Sequence, residues 1–259
     1  MFIDTHCHLN YPEFSDLDGV LQRAADHNVK GFVTINCRLD DIPAVQAIAN
    51  HHPSIFASVG IHPNDVSNHL KELSFHDIAS TLKKALNHPK VVGLGETGLD
   101  YYYENSTKDD QQKSFEMHID LAVCHDLPVI IHTRSAQEDT LAILSNFPTV
   151  KGIFHCFSEN KDFLKKVLDM GLYASFSGIV TFSKSADIQE AAIYCPMDRL
   201  LIETDSPYLT PAPYRGKKNE PAFVYHVAQK IAELKTMPLD EVGQHTTHNA
   251  QKIFNVSFF

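Results

Sequence analysis

Eight short apolar runs, each followed by a longer amphipathic stretch, set the tightest limit on what this chain can fold into. The runs are FIDTH (2–6), GFVTIN (31–36), IFASVGI (55–61), VVGLGE (91–96), PVIIHT (128–133), GIFHCF (152–157), LYASFS (172–177) and RLLIET (199–204). Near-continuous apolar runs of this length suit strands buried on both faces. Helix-like segments lie between them at 16–29, 40–52, 111–126 and 135–147, with others at about 220–235 and at 239–254. A strand followed by a helix, repeated, is the pattern of a parallel sheet with crossover helices. Closing eight such strands makes a (β/α)8 TIM-type barrel, and 259 residues suit that size. An open doubly wound sheet would normally carry a glycine-rich fingerprint after its first strand, and none is present. With no repeat, low-complexity tract or linker, residues 1–259 read as one barrel domain. The only long irregular stretch is SPYLTPAPYRGKKNEP (206–221), and loops of that length are often functional.

In a parallel barrel the C-terminal ends of the strands share one face, and sites are built there. The first strand ends in His6 and His8, two residues apart and therefore on one side of the strand, with Asp4 below them. The fourth ends in Glu96, the fifth in His132, the sixth reaches His155, and the eighth is followed at once by Asp205. A lone histidine after an apolar strand is usually a hydrogen-bonded core or rim residue. Four histidines and two carboxylates at the same end of five strands are a different matter, because buried charge there needs partners or a metal. A mixed nitrogen and oxygen set suits divalent Zn, Mn, Ni, Co or Mg. Six ligands are many for one catalytic ion that must keep a water; shared between two ions, with a bridging carboxylate, they fit a hydrolytic site.

The formal net charge of −10 argues against a protein held to nucleic acid by a broad basic face. It does not exclude a nuclease, since bound cations reverse the local sign. Five scattered cysteines without a CxxC pair suit a reduced chain. The N-terminus lacks a basic region followed by a long apolar one, and no apolar run approaches a membrane span. The expectation is a cytoplasmic monomer with no membrane partner.

The stretches DTHCHL, GIHP, GETGLDYYY, IHTR, HCFS, ETDSPYL and RGKKNEP, in this order from residue 4 to residue 221, resemble the TatD family of metal-dependent deoxyribonucleases within the amidohydrolase superfamily. The resemblance implies a distorted (β/α)8 barrel, in agreement with the strand count. It implies that His6, His8, Glu96 and Asp205 hold a first divalent ion, and that Glu96 bridges to a second completed by His132 and His155. Asp205 and Glu96 are then the catalytic carboxylates, and Asp205 doubles as proton acceptor. The implied substrate is DNA, in particular single-stranded ends cut by an exonuclease. A hydrolase of a small-molecule ester or amide, or of an aminoacyl-tRNA, is the alternative on the same metals. A metal-holding barrel that only binds is a third reading, disfavoured by the complete ligand set. Two departures from the family pattern, Glu159 after HCFS and His118 in the helix after GLDYYY, bear on substrate preference rather than on ligands.

Four further residues are candidates for substrate contact. His62 in GIHP either donates to a phosphate or caps the strand end. Arg134 either clamps a phosphate or joins a rim salt bridge. Arg215, with Lys217 and Lys218, forms either a basic spot beside the site or a solvated loop. Tyr101, with Tyr102 and Tyr103, either stacks bases or packs the rim. Glu203, two before Asp205, is expected to support the ligands from behind. Cys7 and Cys156 are expected to be turned away as packing, and the remaining histidines, His118 among them, to lie on the surface.

Overall fold

Eight strands, all parallel, follow one another around a single sheet in sequence order. They are β1 (Phe2–Cys7), β2 (Val29–Thr34), β3 (Ile55–Val59), β4 (Val91–Asp100), β5 (Val129–Arg134), β6 (Gly152–Phe154), β7 (Tyr173–Phe176) and β8 (Leu200–Ile202). The computed structural model describes residues 1–259. The sheet closes between the first and last strands, where Asp205 N donates to His6 O and His8 N to Ser206 O, each at 2.9 Å. The result is the (β/α)8 barrel that the apolar pattern predicts.

Two apolar layers hold it together. The inner one takes Ile3, Val33, Phe56, Val92, Ile130, Ile153, Tyr173 and Leu201, one residue from each strand. Phe254 and Phe258 of the C-terminal segment join them, with the Phe258 ring 5.1 Å from that of Phe56. The outer layer lies between strands and helices. The helix Lys108–His125, for example, buries Phe115, Ile119 and Ala122, at spacings of four and three that put them on one face. Burial of each large apolar side chain contributes roughly 1.5–3 kcal/mol. With its lower half packed solid, the barrel leaves room for polar groups only at the C-terminal face.

Strand β4 departs most from the expected boundaries. It continues through GETGLD to Asp100 and is buried throughout. Gly95 and Gly98 make this path possible, at φ of +142° and +135°. A Cβ on Gly98 would sit 2.1 Å from the His132 carbonyl oxygen, so no other residue fits so close to β5. The register slips between Leu94 and Thr97, and Glu96 at the slip reaches His6 of β1, His132 of β5 and His155 just after β6. Conversely β6 and β8 are shorter than expected, so His155 and Asp205 stand just beyond regular pairing. Their amides still bond to neighbouring strands, His155 N to Ile131 O at 3.1 Å and Asp205 N to His6 O. No helix is long and apolar enough to cross a membrane.

Candidate metal centre

All six residues expected as ligands converge at this face. Glu96 is the centre of the arrangement, only 4% exposed. Its Oε2 faces His6 Nε2 at 3.4 Å. Its Oε1 faces His155 Nε2 at 2.8 Å, His132 Nδ1 at 3.0 Å and His62 Nε2 at 3.4 Å. Asp205 Oδ1 lies 3.3 Å from His8 Nε2 and 3.5 Å from His6 Nε2. Ligand atoms of His6, His8 and Glu96 all fall within 4.8 Å of one another, and so do those of Glu96, His132 and His155.

Hydrogen bonding at His6 argues that its imidazole serves something other than its neighbours. His6 is completely buried, yet neither of its ring nitrogens has a hydrogen-bond partner in the protein. Buried polar atoms without partners are rare and costly. A divalent cation would satisfy Nε2, and nitrogen and carboxylate donors at this density fit Zn, Mn, Co or Ni chemistry. The imidazoles are oriented from behind. Asp100 Oδ2 lies 3.1 Å from His132 Nε2, which leaves Nδ1 facing Glu96. Glu203 Oε1 lies 3.4 Å from His155 Nδ1 and accepts from Cys156 N at 2.7 Å, the supporting place expected of it.

The electrostatics follow from burial and crowding. Burial by itself would raise the Glu96 carboxyl, but the His155, His62 and His132 imidazoles outweigh it and hold the group well below the usual carboxylate range. Asp205 is lowered in the same way, with burial opposed by His8 and His6. Burial lowers His6 and brings His62 down to about 4. His132 and His155 are raised despite burial, by Asp100 and Glu96 for the first and by Glu96 and Glu203 for the second. Protons and a divalent cation therefore compete for the same nitrogens.

The other candidates separate into two groups. His62 caps the strand end, with Nδ1 accepting from Asn64 N at 3.2 Å, while its Nε2 lies 3.4 Å from Glu96 Oε1. Arg134 lines the mouth, and its guanidinium stacks on Tyr102 at 3.9 Å and Tyr103 at 4.9 Å instead of entering a rim salt bridge. Tyr101 and Arg215 lie outside the lining. The Tyr101 hydroxyl donates to Asp139 and accepts from Gln112, both at 2.8 Å, which ties the ring to the outer helices. Arg215 lies over the Phe182 ring at 3.6 Å, and Lys218 donates to Glu13 O, so the basic cluster disperses around the loop. Glu159 accepts from Gln137 at 2.7 Å.

The mouth is a cavity of about 700 Å³, and its lining includes residues that motif reading passes over. Cys37 Sγ sits 3.7 Å from Glu96 Oε2 and 3.9 Å from His8 Nδ1. Tyr11 stacks on His8 at 4.8 Å. Asp100 was within reach of sequence reasoning: it is four residues after Glu96, hence on the same face once the strand is drawn through it. Cys156 is not turned away; at φ +43° it breaks the alternation and lines the cavity. Cys7 is buried packing, as expected.

His118 is likewise no surface residue. It is fully buried, with Nε2 accepting from Ile61 N at 3.1 Å and Nδ1 2.7 Å from Ser114 O, and so anchors the segment that carries His62. Burial lowers it to about 4 from an ordinary 6.5. The unfolded chain then binds a proton that the folded chain refuses between those values. The stability His118 supplies is complete above pH 6.5 and is lost as pH falls towards 4. His118→Gln, whose amide oxygen can accept from Ile61, is expected to abolish about 2 kcal/mol of the stability lost between pH 7 and pH 5. Urea melts at both pH values check this; an unchanged difference would assign the acid sensitivity to other groups.

The sequence as a whole has close relatives. The family model described as TatD related DNase matches residues 3–255. YcfH of Escherichia coli K12, named an uncharacterized metal-dependent hydrolase, is 41% identical, over 98% of this chain and 96% of that protein. YabD of Bacillus subtilis, similarly named, is 40% identical over 99% of this chain and 100% of its own. The crystal structure of YJJV, a TatD homologue from Escherichia coli K12, superposes with a TM-score of 0.91 at 30% identity, covering 99% of this chain and 98% of that one. With a closed barrel, a buried carboxylate–imidazole cluster at its mouth and a family match along nearly its whole length, the chain belongs to the TatD family of metal-dependent hydrolases.

Proposed function

We propose that the protein is a deoxyribonuclease that shortens single-stranded DNA from an end, with two divalent ions from among Mg, Mn, Zn, Co and Ni. The observation that carries this reading is the pair of Glu96 oxygens, one facing His6 and the other facing His132 and His155. Glu96 with His6, His8 and Asp205 would hold one ion, and Glu96 with His132 and His155 the other. Bound there, two cations supply an acidified water and offset charge on the phosphoryl oxygens.

The chain's own residues do the rest. Asp205, ionised and reachable from the cavity, takes the proton of the attacking water and passes it to the leaving oxygen. Arg134, its face held by two tyrosines, keeps the in-plane N–H fork free for a phosphate. His62 Nε2, beside Glu96, supplies a further contact to the same phosphate. Asp100 holds the tautomer of His132, and the Glu203 carboxylate beside His155 Nδ1 favours the charge on that ring. A cavity of about 700 Å³ has room for a strand end and none for a duplex.

The test is turnover of 5′- and 3′-labelled single-stranded DNA by metal-stripped protein, with each of the five metals restored in turn. Metal-restored shortening from one end supports the reading and fixes its polarity. Tight metal binding without cleavage would move the assignment to an ester, amide or aminoacyl-tRNA hydrolase.

A further inference from the structure

An aromatic wall that no ligand role explains stands beside the metal centre on the β8–β1 side of the mouth. Tyr208 is three residues after Asp205, and its amide donates to Asp205 O at 3.0 Å, so its position is tied to that of the carboxylate. Its ring stands edge-on to Tyr11, 6.3 Å away at 80°, and edge-on to His8, 6.3 Å away at 69°. Tyr11 is itself fixed by its stack on His8. Although braced on two rings, Tyr208 is 54% exposed. Three of the four exposed tyrosines of the chain, Tyr102, Tyr103 and Tyr208, cluster at this one face. In an eight-strand ring the β8–β1 seam is opposite the β4–β5 edge, so Tyr208 faces Tyr103 and Arg134 across the cavity.

Charge supplies the second argument. The protein is strongly acidic, and Arg134 is the only lysine or arginine lining the mouth. Attraction for a polyanion therefore cannot come from a basic groove of the usual kind. Cations bound at the centre can attract the reacting phosphate, and stacking is the remaining source of affinity for the rest of a single strand, because every base has a π-face.

Resting on the nuclease reading above, we propose that Tyr208, braced by Tyr11, is the platform on which the base of the nucleotide next to the cleaved phosphate stacks. The wall makes the protein a reader of bases as well as of phosphate: it engages a nucleotide end and discriminates against a bare sugar–phosphate end.

The experiment compares binding of two fluorescently labelled tetramers to metal-loaded protein. One is a phosphorothioate-linked thymidine tetramer, which resists cleavage; the other has the same backbone with abasic residues. Anisotropy is read with the label at either end. The thymidine tetramer is expected to bind about 10- to 100-fold tighter. Tyr208→Ala should erase that preference and Tyr208→Phe should keep it, both with unchanged metal content and thermal unfolding. Equal binding of the two tetramers, or a preference that survives Tyr208→Ala, would overturn the platform while leaving the nuclease reading intact. Binding of neither tetramer, together with no cleavage of DNA, would remove both.

Discussion

Asp205→Asn is expected to lower turnover about 1,000-fold or more while the protein keeps its fold and most of its metal. Asparagine preserves the shape and one ligating oxygen of Asp205. It cannot accept a proton, and it lacks the negative charge that His8 and His6 now stabilise. Proton transfer by a positioned group contributes typically 10²–10⁴-fold, and lost electrostatic complementarity adds to that. The carboxylate suits the role because it is ionised at neutral pH and 14% exposed at the cavity, where a water and a substrate can reach it. The measurements are kcat on labelled single-stranded DNA, metal content after desalting and the far-ultraviolet circular dichroism spectrum. Near-normal turnover would end the assignment of Asp205 as the base. Loss of metal in step with activity would reduce it to a ligand.

The second large effect is expected at Glu96. Its two oxygens face both nitrogen sets, Oε2 towards His6 and Oε1 towards His132 and His155, so Glu96→Gln should cost at least one tightly held ion per chain and bring turnover near background. The amide removes the shared charge and directs an N–H towards nitrogens that now face an acceptor. The three imidazoles that hold Glu96 ionised would also lose the anion that raises His132 and His155. Titration calorimetry with Mn or Zn, alongside elemental analysis, reads the stoichiometry directly. Two ions held as tightly as in the wild type would exclude bridging by Glu96. The two variants separate two roles: the Asn substitution should stop chemistry on a loaded centre, and the Gln substitution should unload it.

The fold, and which six polar side chains converge at the mouth, were largely legible in the chain because both follow from local rules. Apolar runs of fixed length announce strands buried on both faces, and chirality leaves parallel strands with helical crossovers little freedom beyond closure. Once the strands are placed, their C-terminal ends share a face, and His6, His8, Glu96, His132, His155 and Asp205 need only be read off those ends. The misreadings have physical causes of the opposite kind. His118 looks like a surface residue because its helix is polar nearby, whereas a backbone amide from the Ile61 segment, 57 residues away in the chain, is what buries it. Tyr101 and Arg215 follow motif stretches, but Asp139 and Phe182, distant in sequence, hold them outside the mouth.

What the sequence alone determined is therefore the barrel, the face that carries the site, and the identity of the six polar side chains brought there. Period and position along a strand encode these, and neither depends on which distant residue stands opposite. Only the tertiary structure decided that the two oxygens of Glu96 divide between two nitrogen sets, that Asp100 and Glu203 brace the imidazoles, and that Tyr11 and Tyr208 form a wall against Arg134 and Tyr103. Such pairings are set by ring closure and by the slip in β4 between Leu94 and Thr97, where contacts between strands far apart in sequence fix directions that no local pattern carries.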